Sequence, residues 1–177
     1  MNHLRRIRPA RSASLEERVR NGLQMWKDEL PELDSSGKAV CGRVVALGGA
    51  LNHLFNEALA GYDLKYPEYG VLATLRASGP PYAMTQKRLL ETILFSSGGM
   101  SNLLTRLEKR GLIARENDKD DRRVTHVRLT EAGVSIATEA MAVQSGTEND
   151  LCRGLDDAER KALISALAKL LDAALDV

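Results

Sequence analysis

At Gly111 the hydrophobic spacing of the chain changes period, and this restricts the possible folds more than any other feature. Before it, Met100, Leu103, Leu104 and Leu107 recur at i, i+3, i+4 and i+7, the spacing of one apolar helix face. The opposite face carries Ser101, Asn102, Thr105, Arg106 and Lys109. After it, "LIARE" reads as a short strand, residues 117–123 turn the chain, and "VTHVRL" alternates. Thr125, Val127 and Leu129 share one side of that strand, and Val124, His126 and Arg128 the other. One amphipathic helix therefore leads straight into a strand pair.

The flanking segments read as helices. Residues 1–13 hold Arg5, Arg6, Arg8 and Arg11 and predict a basic arm. Ser14 with Glu17 forms a capping box for a helix bearing Leu15, Val19, Leu23, Trp26 and Leu30, which Pro31 ends. A second helix is expected over roughly 38–60, stopped by Gly61. Pro67 suits the first turn of a third, with Val71, Leu72 and Leu75, ending at Gly79. "GPPYA" reads as a loop, and Thr85 caps a short helix through about Thr92. Ser96 or Ser97 is the expected cap of the helix before Gly111. Downstream, Thr130 caps a long helix to about Asp150, in whose first turn Gly133 is a mild cost. Asp156 with Glu159 starts the last helix, whose Leu163, Ile164, Leu167, Leu170, Leu171 and Ala174 form an apolar stripe.

Aromatic residues make up 4% of the 177 residues, so the core must be aliphatic, which favours packed helices. Cys41 and Cys152 lie in no paired-ligand spacing; each reads as a small buried hydrophobe, with a thiol switch as the alternative. His3, His53 and His126 are scattered, with no metal spacing and no nucleophile motif. Neither catalysis nor a metal nor a cofactor is expected. No apolar run reaches the ~18–20 residues that span a membrane, and the basic N-terminus lacks a signal-peptide centre. A cytoplasmic chain without a membrane partner is the expectation.

The order from Tyr66 to Leu129 is helix, short helix, helix, hairpin, which is a winged helix-turn-helix. Net charge is only +1, yet residues 106–128 hold eight Lys or Arg against five Asp or Glu. Arg122 and Arg123 then sit at a wing tip, braced by nearby aspartates, where they can meet a DNA backbone. Ser101, Asn102, Thr105 and Arg106 have the polar reach for base edges, and Ser97 with the glycine pair "GG" suits close approach of the helix start to DNA.

"DKDDRRVTHVRLTEAG" and "SSGGMSNLLTRLEKRGLIAR" resemble the wing and the recognition helix of the MarR family of transcriptional regulators. The resemblance covers roughly residues 38–175. It implies a mainly α fold with a small β-hairpin wing, dimeric through intertwined N- and C-terminal helices, bound to double-stranded DNA at a pseudo-palindromic operator. Boundaries follow from it: an arm at 1–13, an added helix and first dimerisation helix at 14–61, the winged module at 62–130, and dimerisation helices at 131–177. The added N-terminal helix is similar to that of the family's urate-responsive branch, and Trp26 and Arg115 match two of that branch's four effector positions. Gly70 and Leu103 stand where the branch has Asp and Arg. The implied effector site is Trp26, Tyr69, Gly70, Leu103 and Arg115, suited to an aromatic or carboxylate-bearing small molecule rather than urate. A repressor released by such an effector is the leading expectation; a redox regulator using Cys41 or Cys152, or a winged-helix protein-interaction module, are the others.

Overall fold

In the computed structural model, residues 13–93, 99–118, 121 and 123–175 are described. They fall into two compact units divided between Leu54 and Phe55.

The first unit contains α1 (Leu15–Glu29) and most of α2 (Ser36–Ala58). The capping box forms as expected: the Ser14 N–H donates to Glu17 Oε2 at 2.5 Å and the Glu17 N–H to Ser14 Oγ at 3.2 Å. Arg43 clamps α2 onto α1, with Nε donating to Glu16 Oε2 at 3.0 Å and Nη2 to Oε1 at 2.6 Å. Among the described residues up to Leu54, none is buried. Met25 and Val45 stay 70% and 76% exposed, so this helix pair has no core of its own.

The second unit holds the core. After a 3-10 turn at Ala60–Tyr62 come α3 (Tyr66–Ala77), β1 (Ala83–Thr85), α4 (Gln86–Thr92) and α5 (Met100–Lys109). The chain continues through β2 (Ile113–Asn117), β3 (Thr125–Leu129), α6 (Glu131–Leu151) and α7 (Asp157–Leu175). Leu72, Leu75, Leu89, Leu104, Leu107 and Val127 are fully buried at its centre. The structure corrects two of the expectations. First, "GPPYA" ends in a strand: β1 pairs antiparallel with β3, giving a three-stranded sheet ordered β1-β3-β2. Its three residues are too few to show alternation, and their strand character comes from the partner. Second, the N-cap of α5 is Gly99, in the left-handed region at φ 91°, and not Ser96 or Ser97, which lie outside the described residues.

Gly111 ends α5 in a Schellman arrangement. Its φ is 68°, its N–H reaches Glu108 O at 2.8 Å, and the Leu112 N–H reaches Leu107 O at 3.0 Å. Thr130 then ties the start of α6 to that corner. Its Oγ1 donates to Gly111 O at 2.6 Å, its N–H donates to Leu112 O at 3.1 Å, and Oγ1 accepts from the Gly133 N–H at 3.0 Å. A Cβ at residue 133 would lie 1.9 Å from Leu112 O. Gly133 is thus required by packing, and its low helix propensity is the lesser effect.

Candidate nucleic-acid interface

α5 is divided cleanly by its burial. Met100, Leu103, Leu104 and Leu107 are 0–8% exposed, whereas Ser101, Asn102, Arg106 and Lys109 face solvent and Thr105 is half-buried. The polar face therefore rests on a fully packed apolar one, which fixes its orientation. Both flanks of the helix are held. On one, Arg106 Nε pairs with Glu68 Oε1 at 3.1 Å, and Arg110 donates to the carbonyls of Asp63 at 2.5 Å and Tyr62 at 3.0 Å. On the other, Arg115 of β2 grips Glu108 through Nε at 3.0 Å and through Nη2, and reaches Thr105 Oγ1 at 3.4 Å. The hydrogen bond from Arg115 holds the Glu108 carboxyl below its ordinary pKa.

The wing is braced by its acids. The Asp118 N–H donates to Val124 O at 2.9 Å, the Val124 N–H to Asp121 O at 2.9 Å, and the Asp121 N–H to Asp118 Oδ1 at 3.1 Å. Asp118 Oδ2 also meets His126 Nε2 at 2.9 Å, and that histidine is half-buried. Arg123 forms two side-chain bonds to Asp121, each 3.0 Å, and still keeps its side chain 91% exposed. These bonds depress the Asp121 pKa. The expected bracing of a wing arginine by an aspartate is what Arg123 and Asp121 form; Ser97 and Arg122 lie outside the described residues. A cleft of about 700 Å³ between α4 and the wing is lined by Lys87, Leu90, Arg123 and Thr125 among others. Nothing in the sequence singles out Lys87, because only folding brings it beside Arg123.

The residues expected around an effector are placed differently from one another. Trp26 belongs to the first unit, where Lys38 Nζ lies 3.9 Å above its ring. With Arg18, Val19, Gly22, Leu23 and Gly42, these two residues line a cleft of about 210 Å³. In the second unit, Tyr69 lies beside Tyr66 with ring centroids 5.9 Å apart, and Gly70 is half-buried on α3. Burial first, then the negative charge of Glu148, raises both tyrosine pKa values. Leu103 is part of the hydrophobic core. Arg115 pairs with Glu108 of α5, although Glu116 and Asp118 lie nearer to it along the chain. Cys41 is exposed on α2, contrary to its reading as a buried hydrophobe, and Cys152 is half-buried; both are free thiols. Among the described residues, no cluster of His, Cys, Asp and Glu could hold a metal ion, and no helix is long and apolar enough to cross a membrane.

A three-helix core, a polar-faced third helix and an adjoining wing define a winged helix-turn-helix DNA-binding module. Residues 62–124 match the model of the MarR family. An HTH-type transcriptional regulator of Bacillus cereus is 32% identical over 135 residues, covering 76% of this chain and 88% of that protein. The chain belongs to the MarR family, whose members are transcriptional regulators. It is also similar to the HTH-type transcriptional regulator PecS of Dickeya dadantii, 25% identical over 148 residues, 84% of this chain and 89% of that one. Among solved structures, the organohalide-sensing regulator RdhR-CbdbA1625 in its 2,4-dichlorophenol-bound form superposes with a TM-score of 0.72 at 19% identity. That match covers 78% of this chain and 81% of that one.

Proposed function

We propose that the protein is a homodimeric repressor that binds a pseudo-palindromic operator and leaves it when a small aromatic or carboxylate-bearing effector binds. The carrying observation is the division of α5: four apolar residues anchor it, and Ser101, Asn102, Thr105 and Arg106 are left on its outer and flanking faces to meet base edges and backbone. Asn and Arg can make bidentate contacts worth ~1–3 kcal/mol of discrimination each. Arg123 and Lys87 supply backbone contacts from the wing and the adjoining cleft, and the sequence adds Arg122 and Ser97 as further proposed phosphate contacts.

The dimer reading is supported by uncovered apolar surface. Leu163, Ile164 and Leu171 of α7 are 44%, 68% and 66% exposed in the single chain, and none of the described residues of the first unit is buried. A second copy is the surface that covers them. Two modules so joined meet half-sites about one helical turn apart.

For the effector, the Trp26 cleft combines an aromatic floor with the cations Arg18 and Lys38, a setting for a flat anion. Tyr69, Gly70 and Arg115 belong to the same proposed response, on the winged side. Trp26 is the one tryptophan of the sequence, so its emission reports the cleft directly. The test is a gel shift with the protein's own upstream region, challenged with salicylate and 2,4-dichlorophenol while tryptophan emission is followed. Release from DNA together with a Trp26 emission change is expected. Binding of neither probe, with DNA binding intact, would remove the aromatic-effector reading and leave the DNA-binding one.

A further inference from the structure

Glu68 is the one charged side chain found buried among the described residues, at 6% exposed. Its two oxygens do separate things. Oε2 accepts the Lys65 N–H at 2.8 Å, closing the first turn of α3. Oε1 reaches across to α5 and takes Arg106 Nε at 3.1 Å. The Arg106 side chain remains 61% exposed, so the guanidinium can be reached by DNA without leaving the carboxylate. An arginine held in this way is no longer a free cation on a flexible stem. It is anchored at Nε, and its charge is offset by a carboxylate that the protein keeps buried.

We infer that Glu68 is a specificity-determining positioning residue: it orients Arg106 on the flank of the recognition helix and cancels its charge, so that Arg106 contributes direction-dependent hydrogen bonds instead of indiscriminate attraction to phosphate. Sequence-independent affinity comes from cations that displace counterions, and each such contact steepens the salt dependence by ~0.9 in log–log slope on duplex DNA. A guanidinium whose carboxylate partner is buried adds little to that slope but still discriminates between acceptors by geometry. Arg123 differs, because its partner Asp121 is itself exposed and can give way to a phosphate. The inference rests on the DNA-binding reading, and a wild-type protein that bound no DNA at all would defeat that reading before this one.

The test uses the full chain with Glu68→Gln, Arg106→Gln and the double variant, on operator and on random duplex across a salt series. Glutamine at 68 can still accept the Lys65 N–H, so the cap is kept and only the charge is removed. Glu68→Gln should raise affinity for random duplex about three- to tenfold, steepen its salt slope by ~0.9, and lower the operator-to-random ratio accordingly. Arg106→Gln in the Glu68→Gln background should reverse the rise. An unchanged slope and ratio in a folded Glu68→Gln protein would overturn the inference. Should that variant not fold, the double variant decides, because it exchanges the ion pair for neutral amides at constant net charge. It should keep the wild-type salt slope and lose operator preference. A slope shallower by ~0.9 would show that Arg106 acts as a free cation, and the assignment would fail.

Discussion

Replacing Gly133 by alanine tests the packing of the winged unit at its tightest point. The added Cβ would lie 1.9 Å from Leu112 O and 3.3 Å from Leu129 Cδ2. Non-bonded carbon contacts are favourable near ~3.5 Å, so α6 and the α5–β2 corner must part by more than about 1 Å. That parting strains the two Thr130 bonds to Gly111 O and Leu112 O, 2.6 and 3.1 Å long. Two such bonds contribute ~2 kcal/mol together, and overpacking costs ~1–3 kcal/mol. Alanine's better helix propensity offsets ~1 kcal/mol of this. The net is a loss of about 3 kcal/mol, or a Tm lower by about 10 °C for a chain of this size. Thermal unfolding followed by circular dichroism, at matched protein concentration, reads it. Gly146 on the same helix is the control, because among the described residues nothing lies within 4 Å of where its Cβ would stand. Gly146→Ala should leave Tm unchanged or raise it by about 2 °C. If Gly133→Ala melts with that control, the close approach of α6 to Leu112 does not determine stability.

Other outcomes follow from the same geometry. Arg115→Gln should lower the urea midpoint at pH 7, and the difference should close as pH falls below about 4.3, the ordinary Glu value. The sign follows because the folded Glu108 pKa is depressed, so its contribution exists above the unfolded pKa and is lost as pH falls through the folded one. With Glu108 37% exposed the effect is small, and a gap that does not narrow at all as pH falls through the carboxylate range would assign it to packing instead. Replacing Arg122 and Arg123 with alanine should weaken operator and random duplex alike and flatten the salt slope by ~0.9 for each phosphate no longer neutralised; weakening confined to the operator would mean that the wing reads bases. Deleting residues 163–177 should give a monomer that no longer binds the operator, and a full-length chain that sediments as a stable monomer would contradict this. Calorimetry should detect no micromolar urate binding, since Gly70 and Leu103 offer neither acceptor nor donor side chains; tight binding would refute that reasoning.

What the sequence made legible was local. The caps at Ser14, Thr85, Thr130 and Asp156 each bond a backbone N–H three residues on, and all four form. The α5 stripe was likewise readable, because a helix face repeats within eight residues. It placed Leu103 in the core, whereas the family resemblance placed it beside an effector. The features missed depend on groups that only folding brings together. β1 is a strand because β3 lies beside it, and Lys87 meets Arg123 across a cleft. Arg115 had two acids closer in sequence than Glu108, yet the Schellman turn brings the end of α5 back over β2 and Glu108 gains the bond. Nothing in the sequence around Glu68 points to Arg106, which lies on another helix. Gly133 was misjudged for the same reason, as a propensity cost where a carbonyl from another element sets the requirement.

Arg110 gives the recognition helix a property that concerns motion. It closes the C-terminal end of α5 while its guanidinium holds the carbonyls of Tyr62 and Asp63, the turn that leads into α3. With Glu68 holding Arg106 and Glu108 held from β2, the helix cannot fray from its end without detaching from two neighbours at once. Its amides should therefore exchange with solvent together with those of α3, as one cooperative block. Under the proposed function, the reading surface would then turn or shift as a whole with α3 when DNA is released, and α5 amides that exchange well before those of α3 would show local melting instead.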